Sequence, residues 1–254
     1  MKILLHISFI GTNYCGYQVQ PNGITIQQRL NEAAEQLFGY PCDIVGCSRT
    51  DSGVHANEFC ASVSKKKENH IETNIPIERI PLALTSYLPE DISVNFAEWV
   101  EDEFHPRYDV KYKEYIYKIW NHSIRNPFLS ERAWHCPKII DDPMLQRMQD
   151  AANKYVGTHD FSSYMAADSK VIDTVRTVTS AQVYKEGDNT IIFKVCANGF
   201  LYNMVRIMTG TLLDIAYGKL EPCDIEEITE AHDRKKAGST APACGLYLNK
   251  VVYR

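Results

Sequence analysis

The chain has 254 residues, enough for one large domain or two smaller ones with a substantial core. Hydrophobic residues make up 44% and charged residues 23%, the balance of a soluble globular protein, and no apolar run reaches the length that spans a membrane. A formal net charge of −5 argues against holding nucleic acid by overall positive charge, so any such partner must be met by a local basic stripe.

The N-terminus passes straight into an alternating strand without a signal-peptide cleavage region, which predicts a cytoplasmic protein. Cysteines at 15, 42, 47, 60, 136, 196, 223 and 244 include no CxxC pair and no His/Cys cluster at zinc-ligand spacing. They read as reduced, structural thiols. Cys47 stands apart because Arg49 and His55 are close to it in sequence.

Residues 3–9 alternate as a strand. The loop Gly11–Gln18 carries two glycines and two tyrosines but lacks the lysine and spacing of a phosphate-binding loop. A helix is predicted over 26–38. Thr25 and Gln28 form a capping-box pattern, Ile26, Leu30, Ala33, Ala34 and Leu37 line one face, and Gly39 ends it. Two short strands, Asp43–Val45 and Phe59–Val63, flank the polar stretch Gly46–Ala56. That stretch has no hydrophobic periodicity and holds Arg49, Thr50, Asp51, Ser52 and His55. A polar loop carried by two strands suits chemistry. Local composition suits an ordinary turn as well, with Asp51 bonding its own backbone. A helix over 78–88 must take Pro81 in its first turn or kink there, and Ile92–Ala97 alternates as a strand. The order strand, helix, strand, strand, helix, strand is that of a ferredoxin-like sheet.

Phe104–Tyr108 reads as the passage between halves, giving domains 1–103 and 104–254. The strand Lys111–Asn121 sets Lys111, Lys113, Tyr115, Tyr117 and Ile119 on one face, and Tyr112, Glu114, Ile116, Lys118 and Trp120 on the other. Neither face is wholly apolar, so some of its tyrosines are expected to face a cleft. A helix with Asp142 as N-cap and Pro143 at its first position should run to Val156. Strands near 173–184 and 189–197 bracket a turn. An apolar helix, Leu201–Tyr217, turns Met204, Ile207, Met208, Leu212 and Ile215 inward. A polar helix near 222–233 and a strand near 246–252 close the chain. The predicted fold is α+β: two ferredoxin-like halves forming a continuous, mostly antiparallel sheet with helices on one face. Arg206 is the anomaly. A charge in the middle of an apolar helix must find a partner or stay partly wet.

Basic residues cluster at Lys65–Lys67, at Arg107 with Lys111 and Lys113, and at Arg234–Lys236, each of which suits a solvated surface or a phosphate-binding stripe.

Arg49-Thr50-Asp51-Ser52-Gly53-Val54-His55-Ala56 resembles the R-T-D-x-G-V-H-A signature of the tRNA pseudouridine synthase A family. Gly11 with Tyr14 and Gly16-Tyr17-Gln18-x-Gln20, Phe104-His105-x-Arg107, and Lys113-x-Tyr115-x-Tyr117 are similar to further family segments. So are Gly157-x-His159-Asp160-Phe161-Ser162-Ser163, Phe200-Leu201-Tyr202-Asn203-Met204-Val205-Arg206-x-x-x-Gly210, and Ala243-Cys244-Gly245-Leu246-Tyr247-Leu248. The segments occur in family order across essentially the whole chain.

The resemblance implies conversion of uridine to pseudouridine in the anticodon stem-loop of tRNA, with no metal or organic cofactor, by a homodimer with a central active-site cleft. It implies that Asp51 is the catalytic carboxylate, acting on a flipped-out base. Tyr115 would stack on that base, Arg49 would fill its vacated place or meet flanking phosphates, and Arg206 would pair with Asp51. Ser48 departs from the family, which usually has glycine there. Alternatives are a catalytically inactive RNA-binding paralogue, a synthase with an altered RNA target, and a thiol enzyme built on Cys47 and His55.

Overall fold

A computed structural model of the chain describes every residue except Asp168 and Lys170. The chain divides into two compact units, Met1–Lys111 with Leu248–Arg254, and Tyr112–Tyr247.

The first unit runs β1 (Lys2–Phe9), α1 (Ile26–Phe38), β2 (Cys42–Gly46), β3 (His55–Lys65), α2 (Ile80–Thr85) and β4 (Ile92–Val100). β1 pairs antiparallel with both β3 and β4, and β2 pairs antiparallel with β3. The resulting order, β4-β1-β3-β2, is that of a ferredoxin-like sheet, as predicted. β2 covers only the Ala61–Lys65 end of β3. At the other end of β3, Asn57 Nδ2 donates to Oδ1 of Asn249, from the returning C-terminal segment, at 2.7 Å.

α1 has the predicted bounds. Thr25 Oγ1 accepts the Gln28 N–H at 3.3 Å, Gly39 takes φ 77° at the C-terminus, and Ile26, Leu30, Ala33 and Ala34 are buried. The capping box is only half closed, because the Gln28 side chain donates forward to Glu32. α2 is shorter than predicted. A 3-10 turn, Ile77–Arg79, precedes it, Pro81 lies in its first turn as expected, and only Ile80 and Leu84 are buried. Its end is drawn off towards β4 by Thr85 Oγ1, which accepts the Val94 N–H at 3.1 Å.

The second unit contains most of β5 (Val110–Trp120), then β6 (Trp134–His135), α3 (Asp142–Asn153), β7 (Gly157–Asp160), β8 (Val175–Glu186), β9 (Thr190–Ala197), α4 (Met204–Ala216) and α5 (Asp224–Glu230). The final strand, β10 (Leu246–Tyr253), ends in the first unit. β9 pairs antiparallel with β5 and β8, and β7 pairs antiparallel with β8. The two-residue β6 is parallel to β5. Taken as β5, α3, β8, β9, α4 and β10, the chain repeats the element order of its first half, with β6, β7 and α5 inserted. The inserted β6 and β7 were not predicted.

α3 begins one residue earlier than the sequence suggests. Asp141, not Asp142, is the N-cap, and its side chain accepts the Met144 N–H at 2.9 Å. Gly157 does not cap that helix; it opens β7 at φ 130°. α4 starts at Met204 because Asn203 holds φ 61°, a left-handed conformation that no helix continues through. Its predicted inward residues, Met204, Ile207, Met208, Leu212 and Ile215, are all buried. α5 ends at Glu230, just ahead of His232 at φ 50°.

Candidate active site

The signature loop of the first unit connects β2 to β3 and is anchored by both backbone and side-chain bonds. Cys47 N–H donates to the Cys60 carbonyl at 2.8 Å, which starts the loop from the sheet. Val54 N–H donates to the Asp51 carbonyl at 3.2 Å, and Gly53 takes φ 77°, so Asp51–Val54 is a tight turn. The turn expected from composition is therefore present, with the Asp51 side chain half-buried on it.

A second loop, Gly11–Gln20, clamps the first. Ser52 Oγ and Gly53 N–H both donate to the Tyr14 carbonyl, at 3.1 and 3.4 Å, and Tyr17 N–H donates to the Thr50 carbonyl at 3.2 Å. Tyr14 is itself anchored: its hydroxyl donates to Asp91 at 2.5 Å, and burial, with Asp91 beside it, pushes that hydroxyl above the usual phenol range. Gly16, at φ 80°, sits so close to the loop that a Cβ there would lie 2.5 Å from the Thr50 carbonyl oxygen. Tyr17 stacks on Phe59 at 4.3 Å, filling the space that glycine leaves at Gly46.

His55 is fully buried and its Nδ1 accepts the Gly11 N–H at 2.9 Å. Cys47 is fully buried as well, and its sulfur accepts the Cys60 N–H at 3.4 Å. A thiol nucleophile needs access to its substrate, so the Cys47–His55 reading loses its support. Ser48 does not take positive φ, so this backbone has no need of the glycine usual in the family. Arg49 is exposed.

In the second unit, Tyr115 lies mid-way along β5 opposite Val195 of β9. It is 7% exposed and meets Phe200 edge-on at 4.9 Å. Tyr117, two residues on, is fully buried and donates to the Pro242 carbonyl at 2.6 Å. Arg206 lies in the first turns of α4 and is half-buried. Its Nε donates to the Ala241 carbonyl at 2.8 Å and its Nη1 to Asn203 Oδ1 at 2.7 Å. The guanidinium is thus oriented from two sides rather than left to reach solvent along the helix. Asn203 was not singled out in the sequence, where only its place three residues before Arg206 hinted at a role.

The segment supplying Ala241 has its own support. Arg234 Nη1 donates to the Ala237 and Gly238 carbonyls at 3.2 and 2.9 Å, and Nη2 donates to Thr240 Oγ1 at 3.1 Å. Gly238 N–H donates to Thr211 of α4 at 2.9 Å. Arg234, read from sequence as part of a basic stripe, is therefore a structural clamp. Arg107 remains exposed, in a turn where His105 Nδ1 accepts its N–H at 3.1 Å.

Relatives match this chain from end to end. The tRNA pseudouridine synthase A of Thermoanaerobacter sp. (strain X514) is 42% identical over 253 residues, covering 99% of each chain. That of Caldicellulosiruptor saccharolyticus is 42% identical over 252 residues at the same coverage. That of Exiguobacterium sp. is 41% identical over 254 residues, 99% of this chain and 98% of the relative. A family model described as tRNA pseudouridine synthase matches residues 151–254. The chain belongs to the tRNA pseudouridine synthase A family. Membership puts it among isomerases that act on uridine in tRNA. A pseudouridine synthase neither oxidises nor hydrolyses its substrate, so it needs a nucleophile, a proton acceptor and a closed setting for the base. Among the described residues, no helix is long and apolar enough to cross a membrane.

Proposed function

We propose that this protein converts uridine to pseudouridine in the anticodon stem-loop of tRNA, with Asp51 as the nucleophile. The observation that carries this reading is the clamped turn bearing Asp51 within a chain 42% identical to tRNA pseudouridine synthase A throughout its length. The bond from ribose C1′ to uracil N1 breaks, the base turns over, and C1′ bonds to C5. The proton released from C5 passes to an acceptor, and N1 gains one, so atoms and charge balance without a cofactor.

Asp51 attacks a flipped-out nucleotide, because the target base cannot react within a stack. An oxocarbenium-like sugar next to a carboxylate is familiar from glycoside hydrolysis. Arg206 pairs with Asp51 and keeps it ionised and aimed, a role supported by the two bonds that orient the guanidinium. Tyr115 stacks on the uracil and accepts the C5 proton, supported by its fixed place on β5. Arg49 takes the space the base has left or meets flanking phosphates. In this reading residues 1–103 supply the nucleophile and residues 104–254 its partners.

The protein acts in the cytoplasm as a homodimer. With a net charge of −5, the protein meets tRNA phosphates through local basic residues rather than through overall charge.

The test is release of tritium from C5-labelled uridine in a tRNA transcript, with wild type, Asp51→Asn and Cys47→Ala. Release by wild type and Cys47→Ala, with none by Asp51→Asn, is the expected pattern. Undiminished release by Asp51→Asn would sink the mechanism. Binding without release by the wild type would favour an inactive RNA-binding paralogue.

A further inference from the structure

The first unit carries a cluster of ligating side chains that uridine isomerisation does not use. His6 on β1 lies directly opposite Cys60 on β3, and Glu58 is two residues from Cys60 on the same face of that strand. Glu58 Oε1 is 3.2 Å from His6 Nδ1, and Cys60 Sγ is 3.7 Å from the same nitrogen. All three ligand atoms lie within 4.8 Å of one another. From β4, Glu98 Oε1 meets the other ring nitrogen, Nε2, at 3.1 Å, and Phe96 packs against the ring at 5.4 Å.

We propose that His6, Glu58 and Cys60 form a zinc site, with Glu98 orienting the histidine. Ordinary zinc bond lengths and a tetrahedral angle put a nitrogen and an oxygen ligand about 3.3 Å apart, and a nitrogen and a sulfur ligand about 3.6 Å apart. The distances from His6 Nδ1 match both. Imidazole, carboxylate and thiolate together suit Zn²⁺ and do not suit Mg²⁺ or Ca²⁺. A carboxylate on the far nitrogen of a ligating histidine fixes its tautomer, and here it leaves the Nδ1 lone pair for the metal. The His6 and Glu58 side chains are 21% and 32% exposed, which gives the ion a way in and a water the fourth position. Bound zinc ties β1 to β3 and, through Glu98, to β4. It therefore acts on the stability of the first unit.

The test uses the full chain, stripped with a chelator and titrated with Co²⁺, then Zn²⁺. One Co²⁺ per chain should bind with a thiolate-to-cobalt charge-transfer band that Zn²⁺ bleaches. His6→Ala should lose the band at stoichiometric metal, and Glu98→Gln should weaken binding about 10- to 100-fold. Cys60→Ala should abolish the band. Because Cys60 is fully buried, the partly exposed His6 variant, checked for fold by circular dichroism, decides if the cysteine variant fails to fold. His70→Ala serves as a control: the Glu68, His70, Glu72 group contains no sulfur, so the band should persist. No charge-transfer band in the wild type, or a band of unchanged affinity in His6→Ala, would overturn the proposal.

Discussion

Arg206 donates through Nη1 to Oδ1 of Asn203 at 2.7 Å, and Asn203 holds a left-handed backbone, φ 61°, where α4 begins. One residue thus starts the helix and steers the guanidinium that the helix carries. Two substitutions separate these roles. Asn203→Gly keeps the backbone and loses the bond; Asn203→Ala loses the bond and adds about 1–2 kcal/mol of backbone strain. If Arg206 pairs with Asp51 as proposed, both should lower kcat about 10- to 100-fold with little change in KM. Denaturant melts should find the alanine variant the less stable of the two. Equal kcat in wild type and Asn203→Gly would remove Asn203 from the positioning of Arg206.

Gly16 and Gly39 both have positive φ, 80° and 77°, yet their surroundings differ. A Cβ at Gly16 would press on the Thr50 carbonyl next to Asp51, whereas nothing lies within 4 Å of one at Gly39. Gly39→Ala should therefore cost about 1–2 kcal/mol of stability and leave turnover intact. Gly16→Ala should cost a similar amount and also cut tritium release about 100-fold, by displacing the Asp51 turn. Thermal melts and single-turnover rates on both variants make the comparison.

Arg234, Lys235 and Lys236 adjoin in sequence and should separate in assay. Arg234→Ala removes bonds to the 237–240 segment, whose continuation at Ala241 accepts the Arg206 Nε–H. A loss of about 1.5–3 kcal/mol in stability and a fall in kcat are expected. Lys235→Ala and Lys236→Ala should leave stability alone and reduce the salt dependence of tRNA binding. Filter binding at several salt concentrations, alongside urea melts, distinguishes these outcomes.

Alkaline pH should destabilise the fold through its buried thiols. Burial pushes Cys136 from 9.0 up to about 12 and, with Asp43 and Glu35 nearby, Cys42 from 9.0 up to about 11. The unfolded chain releases these protons first. Stability is therefore fully present below about pH 9 and declines as pH rises towards the folded values. Urea midpoints measured upward from neutral pH should fall more steeply in wild type than in Cys136→Ala. Alkylation near neutral pH should label exposed Cys223 well before Cys136.

What the sequence revealed depended on how local each cause was. Thr25 and Gly39 set both ends of α1 through bonds and dihedrals within a few residues, and those bounds were predicted as observed. The start of α4 was misjudged because Asn203 is held out of the helix in a conformation its propensity does not announce. Asp141 and Asp142 are equally good caps on paper, and only the bond to Met144 separates them. At the candidate site, the turn at Asp51 was legible from its own residues, but its clamp by Tyr14 and Gly16 joins positions more than thirty residues apart. The apolar neighbours of Arg206 showed that it needs a partner, but which partner, and the role of Tyr115, came from family motifs. The His6–Cys60 pair depends on strand register, which spacing rules along the chain do not capture.

The first unit includes Leu248–Arg254, and Asn249 is bonded to Asn57 on β3. During synthesis the N-terminal half therefore emerges long before the segment that completes it. Until Leu248–Arg254 is made, the stretch of β3 that β2 does not cover offers unpaired backbone groups to any neighbouring strand. A nascent chain stalled after α5 should be held by chaperones, and a variant with a stop codon placed ahead of Leu246 should yield aggregates rather than a partly active enzyme.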